Sequence, residues 1–256
     1  MPEAILPARP HVALYNLSQA SDETLLSSWA KVLSITDKQR LKNLTSQRRR
    51  RDFIAGRFIL RTLLCHIFGE RHFMLTSEWW IPKATDNQEN EYACSISHSH
   101  NWLAVACTEG TKVGVDIEIP KANRDIRAAA RLLFAKDNLP SWFYQSESAI
   151  ERGFYAEWCA REALVKCLGD GNVFDSATIK LSEKYGLMGY QHANLVLPGD
   201  TADRMFMDIR WAERETQSEG RPDTSFRGGI SPALYIAMSG EHKTISLTPF
   251  LINGGT

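Results

Sequence analysis

Asp116 and Glu118 stand two residues apart in the run Val113-Gly114-Val115-Asp116-Ile117-Glu118-Ile119. β-Branched residues alternate there with Lys112, Gly114, Asp116 and Glu118, the period-two pattern of a strand with one dry face. Both carboxylates then share the other face, one pleat repeat apart, where they repel unless a cation lies between them. The alternative is a solvated face with two ordinary acids, because a D-x-E pair is a weak signal. Gly114 would let a backbone or a ligand approach closely. Trp158, Glu162 and Lys166 are spaced by four and stack on one helix face. Alone, the Glu162–Lys166 pair reads as a helix stabiliser worth about 0.3–0.5 kcal/mol. Arg48 to Arg51 form a basic run, and Arg50, Arg57 and Arg61 form a stripe along a helix that is otherwise apolar. A helix that apolar is mostly buried, so the stripe needs internal acids or a bound anion; the alternative for Arg48 to Arg51 is a solvated run, which the macrodipole opposes at a helix start. A small phosphate-bearing ligand is the favoured anion. His98 lies between Ser97 and Ser99 at a strand end, a usual place for a site, and the hydroxyls there can donate to an anion. His100 reads as an ordinary loop residue.

The elements that must position these residues follow from the same patterns. His11 to Leu17 is expected as a short strand, and Ser21 as the cap of a helix reaching Leu33. A second helix begins near Thr36-Asp37, breaks at Thr45-Ser46 and continues from Gln47 to Phe68. Phe73 to Ile81 is expected as a strand, Pro82 to Glu91 as a loop, and Tyr92 to Ser99 with Trp102 to Cys107 as a hairpin. After a turn at Glu109-Gly110 comes the strand of Asp116 and Glu118. Asn123 to Phe134 and Ala149 to Leu168 are expected helices, the second stopped by Gly169-Asp170-Gly171. Thr178 to Leu181, Leu187 to Leu197, Met205 to Trp211, Leu234 to Met238 and Thr244 to Leu247 read as antiparallel strands. Glu213 to Gly229 reads as a flexible surface loop.

A chain of 256 residues can bury a good core in one large or two modest domains. Thirty basic and thirty acidic residues cancel, so no global field favours nucleic acid or membrane. The five cysteines are scattered without metal spacing and read as reduced cytoplasmic thiols. Met1 to Pro10 lacks the apolar core of a signal peptide, and no run approaches the roughly 20 apolar residues that span a bilayer.

Three motifs in order, Ser95-Ile96-Ser97-His98-Ser99, Gly114-Val115-Asp116-Ile117-Glu118 and Trp158-Cys159-Ala160-Arg161-Glu162-Ala163-Leu164-Val165-Lys166, resemble the 4′-phosphopantetheinyl transferase superfamily in its longer Sfp/AcpT-like type. Gly169-Asp170-Gly171 and the arginine-rich lead into Ala55-Gly56-Arg57 fit it as well. Two departures stand out: Arg161 replaces the family's lysine, and Pro82-Lys83-Ala84 replaces its Gly-Lys-Pro turn. The resemblance implies an α+β fold, a pseudo-twofold pair of similar subdomains spanning residues 1–109 and 110–256, with coenzyme A in the cleft between them. It implies Mg²⁺ on Asp116, Glu118 and Glu162, a hard cation on oxygen ligands. Lys166 and Asp116 would reach the diphosphate, His98 and Ser97 a phosphate at the other side, Arg48 and Arg51 the 3′-phosphate, and Lys83 the adenine side. The activity implied is transfer of the phosphopantetheine arm from coenzyme A to a serine of an apo acyl or peptidyl carrier protein, with release of adenosine 3′,5′-bisphosphate. Glu162, water at the ion or Asp137 would take the serine proton. The expected protein is a cytoplasmic monomer that binds neither nucleic acid nor membrane. The rival expectations are a non-catalytic binder of coenzyme A or a carrier protein, and a metal-dependent nucleotide hydrolase.

Overall fold

The computed structural model describes residues 10–172, apart from 79–80, 111, 122 and 135–138. Beyond 172 it describes the backbone of five strands. The chain begins with β1 (His11–Asn16), α1 (Asp22–Ser27), α2 (Ile35–Asn43) and α3 (Gln47–Phe68). Then come β2 (Met74–Glu78), β3 (Ile81–Thr85), β4 (Glu91–Ser99), β5 (Trp102–Glu109) and β6 (Val113–Glu118). They are followed by α4 (Ile126–Leu133), α5 (Glu147–Leu168) and β7 (Thr178–Leu181). β8 (Met188–Val196), β9 (Phe206–Ala212), β10 (Leu234–Gly240) and β11 (Pro249–Leu251) complete the series.

These strands form two sheets, so the fold is mixed α/β with largely antiparallel pairing. One has six strands in the order β11-β1-β5-β4-β3-β2 and the other five in the order β6-β10-β9-β8-β7. Among the described strands all pairings are antiparallel except β1 with β11, by which the last described strand returns to the first sheet. Period-two alternation splits the six-stranded sheet into two faces. Ala13, Tyr15, Cys94, Leu103, Val105 and Cys107 meet α3 in one core cluster. Val12, Leu14, Ala104 and Ala106 face the other way and pack on Val113, Val115, Ile117 and Ile119 of β6. β6 is therefore buried on both faces over most of its length; Asp116 is buried and Glu118, at the strand end, is half-buried.

α3 and α5 match their expected spans closely, each opened by a serine cap: Ser46 accepts from Arg49 N and Ser146 from Ala149 N. Gly169 closes α5 in the left-handed conformation at φ 74°. Three expectations need correction. The helix capped by Ser21 ends at Ser27 and gives way to a tighter turn at Trp29–Val32, which seats Trp29 against Phe58 of α3. The helix expected from Asn123 starts at Ile126, where Asp125 is the cap. The stretch Pro82 to Glu91 is not all loop, because Ile81–Thr85 forms β3. Pro82 is tolerated because β3 pairs with β4 only through Lys83, Ala84 and Thr85. Asp86 then closes the turn by accepting from Gln88 N and Asn90 N. The expected strand Thr244 to Leu247, the loop Glu213 to Gly229 and Asp137 lie outside the described residues.

Buried Arg57 answers the question of the arginine stripe with an internal acid. Its guanidinium lies 3.1 Å from Asp37, both side chains being almost fully enclosed, and also donates to Ser77. Arg61 donates to the Phe73 carbonyl at 3.0 Å. Replacing Arg57 with Met is expected to lower stability by about 3–5 kcal/mol, because Asp37 would stay buried without a counter-charge. Urea denaturation checks this, with the exposed pair Arg127–Glu147 as the comparison: breaking it should cost under about 1 kcal/mol.

Candidate active site

Three elements distant in sequence place one side chain each at a common point: Ser97 on β4, Asp116 on β6 and Lys166 on α5. Lys166 Nζ is 2.6 Å from Asp116 Oδ1 and donates to Ser97 Oγ at 3.0 Å. Ser97 Oγ donates to Asp116 Oδ1 at 2.6 Å and accepts from Ile117 N at 3.4 Å. One residue pair further along, Ser99 Oγ donates to Glu118 Oε2 at 2.9 Å. Glu162 is half-buried on the α5 turn preceding Lys166 and lies in the field of both Asp116 and Lys166.

The electrostatics of this group are those of crowded acids. Burial first, and then Asp116, push the carboxyl of Glu162 above its ordinary range, opposed by Lys166. Burial and Asp116 raise Glu118 in the same way, against Ser99, Lys121 and Arg124. Asp116 Oδ2 is buried and has no hydrogen-bond partner. An orphaned carboxylate oxygen among mutually repelling acids is a set of hard oxygen donors, which suits a divalent cation such as Mg²⁺. The match is one of donor chemistry and field: among the described residues no three acid, histidine or cysteine side chains are already closed around a single ion position.

His98, Arg48 and Arg51 lie on the other face of the sheet. His98 alternates with Ser97 and Ser99 on β4, so it points toward α3, where its Nε2 is 3.6 Å from Asp52. Arg48 donates to the His100 carbonyl and lies 3.9 Å from Asp52; Arg51 donates to the carbonyls of Leu17 and Ala20. Arg48 and Arg51 line an open cavity of about 430 Å³ with Asp22, Gln47, Asp52, His100 and Asn101. Arg48, Arg51 and His98 thus form one group around Asp52, and Asp116, Glu118, Glu162 and Lys166 form another. Lys83 is opposite Ala93 in the ladder, which puts it on the same sheet face as Ser95 and Ser97.

Three features of the site went unread in the sequence. Asp52, whose carboxyl is raised by burial, is the acid that Arg48 and His98 share; its i+4 spacing from Arg48 was the available signal. Arg161 points away from Glu162 and makes a buried pair with Glu157 at 2.9 Å, again at a spacing of four. Ser95, Ser97 and Ser99 accept from Val115 N, Ile117 N and Ile119 N, stitching β4 to β6.

Residues 112–191, which include β6 and α5, match the sequence model of the 4′-phosphopantetheinyl transferase superfamily. Over 83 residues the chain is 37% identical to a Haemophilus influenzae protein provisionally named a 4′-phosphopantetheinyl transferase, covering 31% of this chain and 34% of that protein. Over 164 residues it is 25% identical to the 4′-phosphopantetheinyl transferase HetI of Nostoc sp., covering 62% of this chain and 69% of that one. The likeness to that superfamily lies in residues 112–191, and the chain spans about a third of the length of the Haemophilus influenzae relative. No described helix is long and apolar enough to cross a membrane.

Proposed function

We propose that the protein transfers the 4′-phosphopantetheine arm of coenzyme A to a serine of an apo acyl or peptidyl carrier protein. The observation that carries this reading is the Lys166–Asp116–Ser97 cluster, in which the three sequence motifs meet within hydrogen-bond distance. Two similar subdomains, residues 1–109 and 110–256, would hold coenzyme A between them in a single chain acting as a monomer in the cytoplasm. Lys166 would bind the diphosphate, with Arg48 and Arg51 on the 3′-phosphate. His98 would reach a phosphate over the hairpin tip, and Lys83 the adenine side. Asp116, Glu118 and Glu162 would hold Mg²⁺, which when bound neutralises diphosphate charge as the phosphorus–oxygen bond breaks. The carrier serine oxygen attacks the β-phosphorus, the bond from that phosphorus to the bridging oxygen breaks, and adenosine 3′,5′-bisphosphate leaves with that oxygen. The serine proton passes to a base, for which Glu162 is the side chain placed beside Lys166.

The test is to incubate the protein with coenzyme A, Mg²⁺ and a panel of apo carriers, then weigh the carriers. A mass gain of one phosphopantetheine arm on at least one carrier is expected, with no product when Mg²⁺ is chelated. Tight coenzyme A binding with every carrier unmodified would overturn the proposal in favour of a non-catalytic binder. Breakdown of coenzyme A or ATP without an acceptor would point to a hydrolase.

A further inference from the structure

β6 is the terminal strand of the five-stranded sheet, so no described strand pairs through its backbone with one row of its backbone groups. The odd-numbered amides of that row do not go unsatisfied. Val115 N, Ile117 N and Ile119 N donate to Ser95, Ser97 and Ser99 at 3.0, 3.4 and 3.1 Å. The steps match two for two, so β6 runs parallel to β4 and the serine hydroxyls replace a backbone ladder. A serine hydroxyl has one hydrogen to give and two lone pairs to accept. Ser97 uses all three: it accepts from Ile117 N and Lys166 Nζ and donates to Asp116. Ser99 accepts from Ile119 N and donates to Glu118. The hydroxyl that fixes the strand therefore also fixes the acid next to it, and the direction of its proton is set by the amide it accepts from. Ser95 makes the strand bond to Val115 N, and its neighbour in β6 on that side is Gly114, which has no side chain to hold.

We infer that Ser97 and Ser99 are positioning residues, which set the separation and orientation of Asp116 and Glu118 from the other sheet. The inference rests on the transferase reading for what the acids do, but the geometry it claims can be read independently. A purely structural ladder would make the three serines equivalent. A positioning ladder separates Ser95 from the other two.

The experiment compares Ser95→Ala, Ser97→Ala and Ser99→Ala by thermal unfolding, by transfer kinetics, and by Mn²⁺ titration with coenzyme A present. All three should lower Tm, Ser95→Ala by a few degrees for its one strand bond, and Ser97→Ala and Ser99→Ala by more because they also lose the bonds to the acids and, at Ser97, to Lys166. Ser95→Ala should keep kcat and Mn²⁺ affinity. Ser97→Ala and Ser99→Ala should lower kcat on the order of tenfold to a hundredfold, as misplacement by roughly 1 Å does, and weaken Mn²⁺, with KM for coenzyme A little changed. If Ser97→Ala does not fold, Ser97→Cys keeps the volume with a weaker donor and reads the same quantities. Unchanged kcat and Mn²⁺ affinity in both Ser97 and Ser99 variants would overturn the inference while the transferase reading stood. Weakened Mn²⁺ binding in those two alone, with a wild type that modifies no carrier, would sustain it while that reading fell.

Discussion

Lys166→Met is expected to lower transfer on the order of a hundredfold to a thousandfold and to destabilise the fold at the same time. Its ammonium sits on Asp116 Oδ1 and Ser97 Oγ, between β4, β6 and α5. A preorganised cation aimed at developing phosphate charge is worth about 10²–10³ in kcat. Its removal also leaves Asp116, a residue only 4% exposed, without its counter-charge. Breaking such a pair costs about 3–5 kcal/mol, and the lower end applies because the Lys166 side chain remains 18% exposed to water. The two roles separate in a double-mutant cycle. Asp116→Asn combined with Lys166→Met removes both charges, so stability should recover toward wild type while transfer stays at the floor. Urea denaturation and carrier mass measure the two. Wild-type kcat in a folded Lys166→Met variant would reduce Lys166 to a counter-ion for Asp116.

The parts of the fold and site that were legible in the sequence are those written in local periods. α3 and α5 follow from caps and spacing, the hairpin from two apolar runs about a turn, and the closeness of Asp116 and Glu118 from the pleat. What was not legible depends on which surfaces face each other. Arg57 reads the same whether its partner is Asp37 or a bound phosphate, because the two sit in different helices and the choice is made by packing. Ser95, Ser97 and Ser99 alternate as a solvated strand face would; only the docking of β6, some twenty residues on, turns them into a ladder. β3 was hidden because Pro82 and Lys83 are poor strand residues, and the gap in the β4 ladder that accommodates Pro82 is a tertiary fact. The division of His98 from Ser97 was available from period two alone. Two neighbours on one strand point to opposite faces, so a ligand that meets both must cross the sheet end.

Among the described glycines, Gly114→Ala is expected to be the most damaging substitution. A Cβ there would overlap the Ala163 carbonyl and press on the backbone N and Cβ of Cys167 in α5. Backbone cannot rotate aside as a side-chain tip can, so the helix must move away from β6. Overpacking costs typically about 1–3 kcal/mol, and a clash against backbone belongs at or above the top of that range. Gly171→Ala is the control, since no atom lies within 4 Å of its added Cβ, and it should change stability by no more than about 0.5 kcal/mol. The functional loss should exceed the loss of stability. Ala163 lies between Glu162 and Lys166, and Gly114 lies two residues before Asp116. The shift that admits a methyl therefore opens the same gap that Lys166 closes onto Asp116, and the folded fraction of Gly114→Ala should transfer as poorly as Lys166→Met. Full stability with full kcat in this variant would mean that α5 is not seated on β6 at Gly114, and the shared position of the acids and the lysine would go with it.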